Sequence, residues 1–510
     1  MHAEKKNNLK PTISAPSIDD HTITPSNGFS ENPLPEIYFP DNKRDNNDID
    51  PEQTQAGAHP ETGAPPDGGY GWVYVLCVFL INAHTWGINS SYGIFLAHYL
   101  ESTFPGASDL DFESVGGLSL SMAQFIAPVT TITTREWGMR ATLTIGIILQ
   151  TAALLGASWS TEIWQLFLSQ GLCFGLGMGM QFSTTVGIIP QWFARRRSLA
   201  NGMGTAGSGI GGLIYSLASS ALIQRWGTGW AFRILAIASA AARGLSAIMI
   251  KDCNKAIGAI QVAFHTGLLK RPEFLLTLVW GCLSVLGYVA LLFSIPAYAK
   301  TVGLTVSQGS ILGAMFNLGG GVGRPVIGYI SDDFGRINTA LVCTFLAGLF
   351  SLAVWIFAKS FGIFIFYALI GGAVFVTFTT TVAPVGTEVV GLQLLPSALS
   401  IFWVSVVIPS TFAEPIALWL RTKNETSFLH AQIFTGFMYM GATISLWLVR
   451  TWKISEFYKT VTNDAVNYEA RVRGKVGVPQ DSMVAQRVGT VPSVMSKVKS
   501  ARNLFKMVKV

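Results

Sequence analysis

The stretches PDGGYGW, residues 66–72, and WFARRRSLANG, residues 192–202, decide the fold. Each one leads into a long apolar run. The first run begins with glycines and a tryptophan, and three consecutive arginines precede the second. Tryptophan and basic residues concentrate where a chain enters a bilayer, so both stretches mark edges of membrane-spanning helices.

The composition indicates a membrane protein. Of 510 residues, 50% are hydrophobic and 13% are charged, whereas soluble domains carry roughly 25% charged residues. The charge deficit is confined to the middle of the chain, because residues 1–66 and 451–510 are polar. A bilayer needs about 20 apolar residues per helix, and a helix satisfies its own backbone hydrogen bonds in lipid. The middle therefore predicts an all-α polytopic membrane protein with about twelve transmembrane helices.

The apolar runs also predict where the spans lie. Their bounds are 72–97, 115–133, 141–158, 162–188, 198–222, 230–250, 272–294, 306–330, 338–358, 361–385, 395–419 and 428–449. Pro128 and Gly138, near the end of the second span, recur with the same spacing as Pro325 and Gly335 near the end of the eighth. This repeat predicts two pseudo-symmetric six-helix bundles with the same orientation.

The charge distribution predicts the orientation and the outer segments. We expect a disordered cytoplasmic tail at 1–66, a first bundle at 67–250, a cytoplasmic linker at 251–271, a second bundle at 272–450 and a basic cytoplasmic tail at 451–510. The first tail lacks the apolar residues that would offset its chain entropy. Loops predicted to lie inside carry Arg135, Arg140 and Arg195–Arg197, whereas the loop after the first span has acids but no lysine or arginine. This bias places both termini in the cytoplasm.

The segment GYISDDFGR, residues 328–336, resembles a loop signature of the major facilitator superfamily. Asp332, Gly335 and Arg336 match the signature, while Asp333 stands where that superfamily has a basic residue. The two opening stretches resemble, more narrowly, the monocarboxylate porter family in its fungal branch. The matching residues are Asp67, Gly68, Gly69, Gly71 and Trp72 in the first stretch, and Phe193, Arg195, Arg196, Leu199, Ala200 and Gly202 in the second.

The resemblance implies a major facilitator fold and a secondary active or facilitative transporter of a small organic anion or metabolite, working by alternating access. Relatives in the fungal branch also export secondary metabolites or carry riboflavin-like vitamins, so these substrates are alternatives. Ser90 stands where animal lactate carriers have a lysine, and Gly320 where they have an aspartate. Both departures argue against lactate–proton symport. A non-transporting nutrient sensor is the alternative from a different functional class.

Arg324 is the most informative polar residue within a span. A charge there costs several kcal/mol unless it is paired or faces water, so we expect Arg324 to face a central cavity. Its planar guanidinium could clamp a carboxylate. In the alternative interpretation, Arg324 extends to the membrane surface or pairs with Asp332.

Polar residues of other spans are further candidates for substrate binding. Asn82 and Asn89 lie two helical turns apart and share a helix face. His84 is a candidate both for the cavity and for proton coupling, because histidine titrates near neutral pH. Asn317 and Trp280 complete the predicted set. Hydrogen bonding between helices is the alternative role for the residues of the first span.

Two further charges lie within predicted spans. Glu414 is a proton-coupling candidate, because protonation removes the cost of burying its charge. Alternatively, Glu414 caps a broken helix and pairs with Arg421. We expect Arg243 to extend to the cytoplasmic surface along its aliphatic stem.

The loops contain two more candidate sites. Arg195, Arg196 and Arg197 are expected to fix the topology and contact lipid headgroups, or else to form a gating network with Glu388 or Asp332. Asn424 begins a glycosylation sequon, although two spans lie so close to it that we do not expect its use.

Other functional classes lack support in the sequence. The five cysteines show no metal-binding spacing, and no phosphate-binding loop for ATP hydrolysis occurs. We therefore expect no cofactor, no metal, no nucleic acid partner and no enzyme activity. The expected partners are a small-molecule substrate, the lipid bilayer and, in a coupled mechanism, protons. We expect a monomeric functional unit in the plasma membrane, with the vacuolar or another internal membrane as the alternative.

Overall fold

The computed structural model describes residues 67–101, 108–250, 259–420 and 428–476. Within these ranges the chain is helical and contains no strand. The predicted first tail, 1–66, and the last residues, 477–510, lie outside the described part of the chain.

The first half consists of ten α-helices. They are α1 (Gly71–His84), α2 (Trp86–Ser90), α3 (Tyr92–Glu101), α4 (Asp109–Phe125), α5 (Ala127–Trp137), α6 (Met139–Ala157), α7 (Ile163–Leu166), α8 (Phe174–Val186), α9 (Ile189–Trp192) and α10 (Arg197–Met249). A π-helical turn, Phe167–Cys173, connects α7 to α8. The predicted first span is thus divided into α1, α2 and α3, because Thr85 and Ser91 depart from regular helix at its centre.

The second half begins after a short 3₁₀-helix at Leu268–Lys270. Its helices are α11 (Pro272–Thr301), α12 (Val306–Phe334), α13 (Arg336–Phe350), α14 (Phe361–Val374), α15 (Thr377–Val390), α16 (Leu395–Ser405), α17 (Val407–Trp419) and α18 (Leu429–Val476). A π-helical turn, Ser351–Trp355, extends α13. The helix α18 continues well beyond residue 450, where the sequence predicts the last tail to begin.

Helix α10 contains two of the predicted spans. Its 53 residues would extend about 80 Å as a straight helix, far more than the roughly 30 Å of a bilayer core. Gly227 interrupts the helix with φ 77° and ψ 170°, a conformation that only glycine adopts without strain. The predicted spans 198–222 and 230–250 therefore lie on either side of this turn.

The number of membrane crossings agrees with the predicted architecture. Nine helices of the described chain are long and apolar enough to span a membrane, and the pair Ser114–Phe125 and Ala127–Trp137, bent by 44°, makes ten. Two further crossings are not counted when helices are judged by their length and mean hydropathy alone. One is the second part of α10, and the other is α12, in which glycines and charged residues lower the mean hydropathy. With these two included, the described helices form the predicted twelve spans.

The two halves meet along α10 and α12. A Cβ atom on Gly209 would lie 2.5 Å from the backbone nitrogen of Gly321, and one on Gly202 would lie 2.3 Å from the carbonyl oxygen of Arg324. Such small residues let two backbones approach closely. A buried cluster that includes Phe182 of the first half and Trp403 of the second joins the halves elsewhere. These contacts position the polar side chains described next.

Candidate functional site

Arg324 lies within α12 and connects the two halves. Its side chain is buried, and its Nη1 donates hydrogen bonds to the carbonyl oxygen of Thr205 and the hydroxyl of Ser208, both on α10. Its Nε is buried and has no protein partner among the described residues. The alternative pairing with Asp332 is not formed, since that carboxylate binds the beginning of α10 instead.

Arg324 lines a cavity between the halves, which we call the central cavity. Of the other predicted binding residues, Asn82 and Asn317 also line it, together with Thr205 and Ser208. Its volume is about 80 Å³, whereas sites for drug-sized ligands occupy roughly 300–1,000 Å³. The halves are therefore closed around this cavity in the present conformation.

Sequence reasoning did not identify several residues of the central cavity. Tyr288, Trp86 and Ser284 line it, and the indole nitrogen of Trp86 and the hydroxyl of Ser284 are buried without a protein partner in the described part of the chain. With the Nε of Arg324, they provide three hydrogen-bond donors around one small space. The aromatic residues Phe182, Phe316, Phe375 and Phe378 form its apolar walls. No local motif marks these residues, because the cavity is assembled from helices far apart in sequence.

Three predicted binding residues lie away from the central cavity. The hydroxyl of Ser119 donates to the side-chain oxygen of Asn89 at 2.9 Å. The indole nitrogen of Trp280 donates to the Thr344 hydroxyl at 3.3 Å, and the indole is fully buried. The Nδ1 of His84 forms a hydrogen bond with the Tyr215 hydroxyl. In this conformation these side chains connect helices.

The structure corrects the expectation for Arg243. Its side chain is 0% exposed, so it does not extend to the membrane surface. Its guanidinium donates to the side-chain oxygens of Gln150 and Gln181 and, at 2.8 Å, to the hydroxyl of Ser239. Amide and hydroxyl groups thus satisfy this cation inside the first bundle.

Two aspartates of the sequence motifs bind backbone N–H groups at one end of the molecule, which we call the Asp332 end. Asp332 accepts hydrogen bonds from the backbone nitrogens of Ser198 and Leu199, both at 2.9 Å. A carboxylate is favourable at a helix N-terminus, where unpaired N–H groups and the helix dipole meet it. Asp67 similarly accepts from the nitrogens of Ala194 and Arg195, at 2.7 and 2.8 Å. The first opening stretch therefore holds the second in place.

The remaining motif residues shape the same region. Gly69 has φ 59° and Gly335 φ 99°, which explains the need for glycine at both turns. Gly71 lies against the ring of Phe193, to which an added Cβ would come within 3.0 Å. The ring of Trp72 packs edge-on against Phe193 at 5.0 Å. A Cβ on Gly68 would meet no atom within 4 Å, so nothing in the structure explains that glycine.

The ion pairs at the Asp332 end differ from the predicted network. Arg336, not the cluster Arg195–Arg197, pairs with Glu388, and it also donates to the carbonyl oxygen of Ala194 at 2.6 Å. The Nε of Arg197 donates to the carbonyl oxygen of its own loop at Phe193. In this conformation Arg336 thus forms the ion pair with Glu388 that the sequence predicted for the triple arginine.

Two predicted sites cannot be described. Glu414 lies in α17, but its side chain lies outside the described part of the structure. Asn424 lies in the gap between residues 420 and 428. Both remain predictions.

Comparison with known protein families assigns this chain to one superfamily. The family model described as Major Facilitator Superfamily matches residues 74–414. The chain belongs to the major facilitator superfamily. It is therefore a multi-pass integral membrane protein of a transporter family, and the fold predicted from the sequence is confirmed.

Three relatives illustrate the range of proteins that this chain resembles. The "Probable transporter MCH2" of Saccharomyces cerevisiae is 35% identical over 393 residues, covering 76% of this chain and 83% of the relative. The "Fujikurins efflux protein" of Gibberella fujikuroi is 26% identical, with 77% of this chain and 84% of the relative covered. "Monocarboxylate transporter 10" of Rattus norvegicus is 26% identical, with 74% and 77% covered. The predicted resemblance to fungal transporters and to a monocarboxylate transporter agrees with these matches.

Proposed function

We propose that this protein carries a small organic anion across the plasma membrane by alternating access, with both termini in the cytoplasm. The observation that carries the proposal is the environment of Arg324. This cation is buried between the two halves, and no carboxylate in the described residues lies within ion-pair distance of it. An anionic substrate would supply the missing charge.

The hydrogen bonds of Arg324 suggest how the substrate would be held. Its Nη1 group now binds Thr205 and Ser208, while its Nε remains without a protein partner among the described residues. A carboxylate that approaches Nε and one terminal nitrogen would form two parallel hydrogen bonds. The donors of Trp86 and Ser284 lie around the same cavity and would bind further polar groups of the substrate.

The same bonds would couple binding to the movement of the halves. Arg324 belongs to the second half, and both of its partners belong to the first. A substrate that replaces these partners would break the hydrogen bonds of Arg324 to the first half and form its own hydrogen bonds with Arg324. A ligand shifts a conformational equilibrium only through such a difference in its contacts with the two states.

A second candidate function is export of an aromatic metabolite. The aromatic rings of Phe182, Phe316, Phe375, Phe378 and Trp86 line the central cavity. Planar substrates pack well against such walls. The relative named as an efflux protein is consistent with this direction of transport. Proton coupling through His84 or Glu414 is compatible with either direction.

Counterflow in proteoliposomes tests the proposal. Purified protein is reconstituted with a panel of unlabelled aliphatic and aromatic carboxylates inside, and entry of the labelled compound is followed. At least one carboxylate should accelerate the entry of its own label. Arg324→Gln should slow this exchange about 10- to 100-fold, because it removes a charged hydrogen bond worth about 1.5–3 kcal/mol.

Arg450→Gln is the matched control, because Arg450 lies outside the central cavity and its Nε donates to the side-chain oxygen of Asn338 at 2.7 Å. This variant should retain exchange. Full exchange by Arg324→Gln would refute the anion site. If the unaltered protein exchanges no compound in the panel, the proposed transport of organic anions fails and the sensor alternative gains support.

A further inference from the structure

A second cavity lies between α5 and α8 of the first half and α16 of the second. It is lined by Thr130, Thr131, Thr134, Ser183, Thr184 and Ser400, together with Gln261 and Trp403. We call it the hydroxyl cavity. Its volume is about 40 Å³, enough for a few water-sized groups at roughly 10–15 Å³ each. It lies towards the Asp332 end, since Gln191, which also lines it, is three residues before Ala194, to which Arg336 donates.

The hydroxyl cavity presents both donors and acceptors. The hydroxyls of Thr130, Thr131 and Thr184 donate to carbonyl oxygens of their own helices, at 3.1, 3.1 and 2.6 Å. Their oxygen lone pairs therefore remain available as acceptors. The hydroxyl of Ser400 and the indole nitrogen of Trp403 are buried and have no protein partner in the described ranges. Buried polar atoms of this kind normally bind a protein group, water or a ligand.

The chemistry of these walls selects neutral groups. None of the described residues that line the hydroxyl cavity carries an ionisable side chain. Moving a charged group there would cost its solvation without a compensating ion pair. Alcohol and amide groups can instead bind both the free donors and the threonine oxygens, and a ketone can bind the free donors. The hydroxyl cavity thus complements the central cavity, where a cation is present.

An aromatic cluster separates the two cavities. Trp403 lines the hydroxyl cavity, and its ring lies 4.9 Å from Phe182 and 6.0 Å from Phe378. Both phenylalanines line the central cavity. Movement of these three rings would therefore connect the spaces.

Residues 259–262, which we call the strap, cover part of the hydroxyl cavity through Gln261, which lines it. The Ser397 hydroxyl accepts from the nitrogen of Val262 at 3.1 Å and donates to the carbonyl oxygen of Ile260 at 2.7 Å. The nitrogen of Ile260 donates to the carbonyl oxygen of Gln393 at 2.9 Å. Since the strap belongs to the chain that joins the halves, their movement would pull on these bonds.

We infer that the hydroxyl cavity is a second substrate-contact site, which binds neutral hydrogen-bonding groups of the substrate between the central cavity and the Asp332 end. The strap closes this site when the halves are closed. That the hydroxyl cavity lies on the transport route rests on the proposed function. The preference for neutral groups and the cover by the strap do not depend on that function.

Cysteine labelling of the full chain tests the site directly. The five native cysteines are replaced, and Ser400→Cys is introduced. The probes are ethyl methanethiosulfonate and hydroxyethyl methanethiosulfonate, with rates normalised to those for free cysteine. The hydroxyl-bearing reagent should react about tenfold faster, because its hydroxyl can accept a hydrogen bond from the Trp403 indole nitrogen and donate one to a threonine oxygen. The ethyl group can do neither, and the sulfonyl group is common to both reagents. This preference should disappear when Trp403→Phe is added.

The strap is tested with Ser397→Ala in the same background. This change removes two of the bonds that hold the strap, so labelling of Ser400→Cys should accelerate about tenfold. Ala398→Cys is the matched control on the same helix, since Ala398 is fully buried and does not line the cavity. Its labelling should stay slow with or without the strap bonds.

Each result decides a separate point. The proposed site is wrong if the two reagents react at equal rates, or if Ser400→Cys is no more reactive than Ala398→Cys. The proposed role of the strap is wrong if Ser397→Ala does not accelerate the labelling. Modification of Ser400→Cys should also stop counterflow of any carboxylate that the unmodified protein exchanges. Continued exchange would place the cavity off the transport route. If even the unmodified protein exchanges nothing, the proposed function fails, while the reagent preference still decides the chemistry of the site.

Discussion

Asp332 and Asp333 are adjacent carboxylates with different surroundings. Asp332 binds two backbone nitrogens at the start of α10, whereas Asp333 is exposed. Asp332→Asn should lower the free energy of unfolding by about 2 kcal/mol, because an amide loses the charge and one of two acceptors that bind N–H groups. The measurement is the midpoint of thermal unfolding in detergent. Asp333→Asn is the control and should leave the midpoint unchanged; an equal decrease in both variants would contradict the assigned role of Asp332.

Single residues also show what the sequence can predict about a site. Arg324 could be assigned to a cavity from the cost of a buried charge alone. Asn89 and Trp280 also carry polar groups within spans, yet in the structure these groups form hydrogen bonds between helices. Their partners, Ser119 and Thr344, lie on other helices, so helix rotation and packing decide the outcome. Nothing in the sequence marks Ser400 as a site residue, because the hydroxyl of a serine in a span normally donates to a carbonyl oxygen of its own helix.

At the scale of helices, the contact between α10 and α12 depends on glycine. An added Cβ on Gly209 would lie 2.5 Å from the nitrogen of Gly321. Gly209→Val should therefore separate the two helices and stop exchange, or prevent a stable fold. Fluorescence-detected size-exclusion chromatography together with counterflow measures both effects. Gly244→Val, on the same helix, is the matched control, since a Cβ there meets no atom within 4 Å. Normal exchange by Gly209→Val would show that the halves do not need this close contact.

Helix boundaries were predicted best where one strong physical signal determines them. The span after Gly335 begins two residues before its predicted start at 338, since a positive φ at that glycine ends one helix before the next starts. The end of α18 was not predicted, because the polar residues after 450 resemble a tail. They continue the helix to Val476, since a helix that is already formed propagates through residues of moderate propensity.

For the whole molecule, alternating access requires that contacts between the halves break while contacts within each half persist. The hydroxyls of Ser121 and Thr411 connect α4 and α17 across the halves at 2.7 Å. Within the first half, a Cβ on Gly156 would lie 3.5 Å from the Cβ of Ser169. Cysteine pairs are introduced at these two places in a protein without native cysteines. The first pair tests whether the halves move relative to each other, and the second tests whether helices move within one half.

The disulfide between Ser121→Cys and Thr411→Cys should reduce counterflow to background, and reduction by dithiothreitol should restore it, because the cross-link holds one closed state. The disulfide between Gly156→Cys and Ser169→Cys should leave counterflow nearly unchanged, since both residues belong to the first half and neither lines a cavity described above. A mobility shift on non-reducing gels confirms each bond before transport is measured. Unimpaired exchange across the oxidised first pair would mean that α4 and α17 stay together during transport. Rigid-body movement of two six-helix halves would then be the wrong description of this carrier.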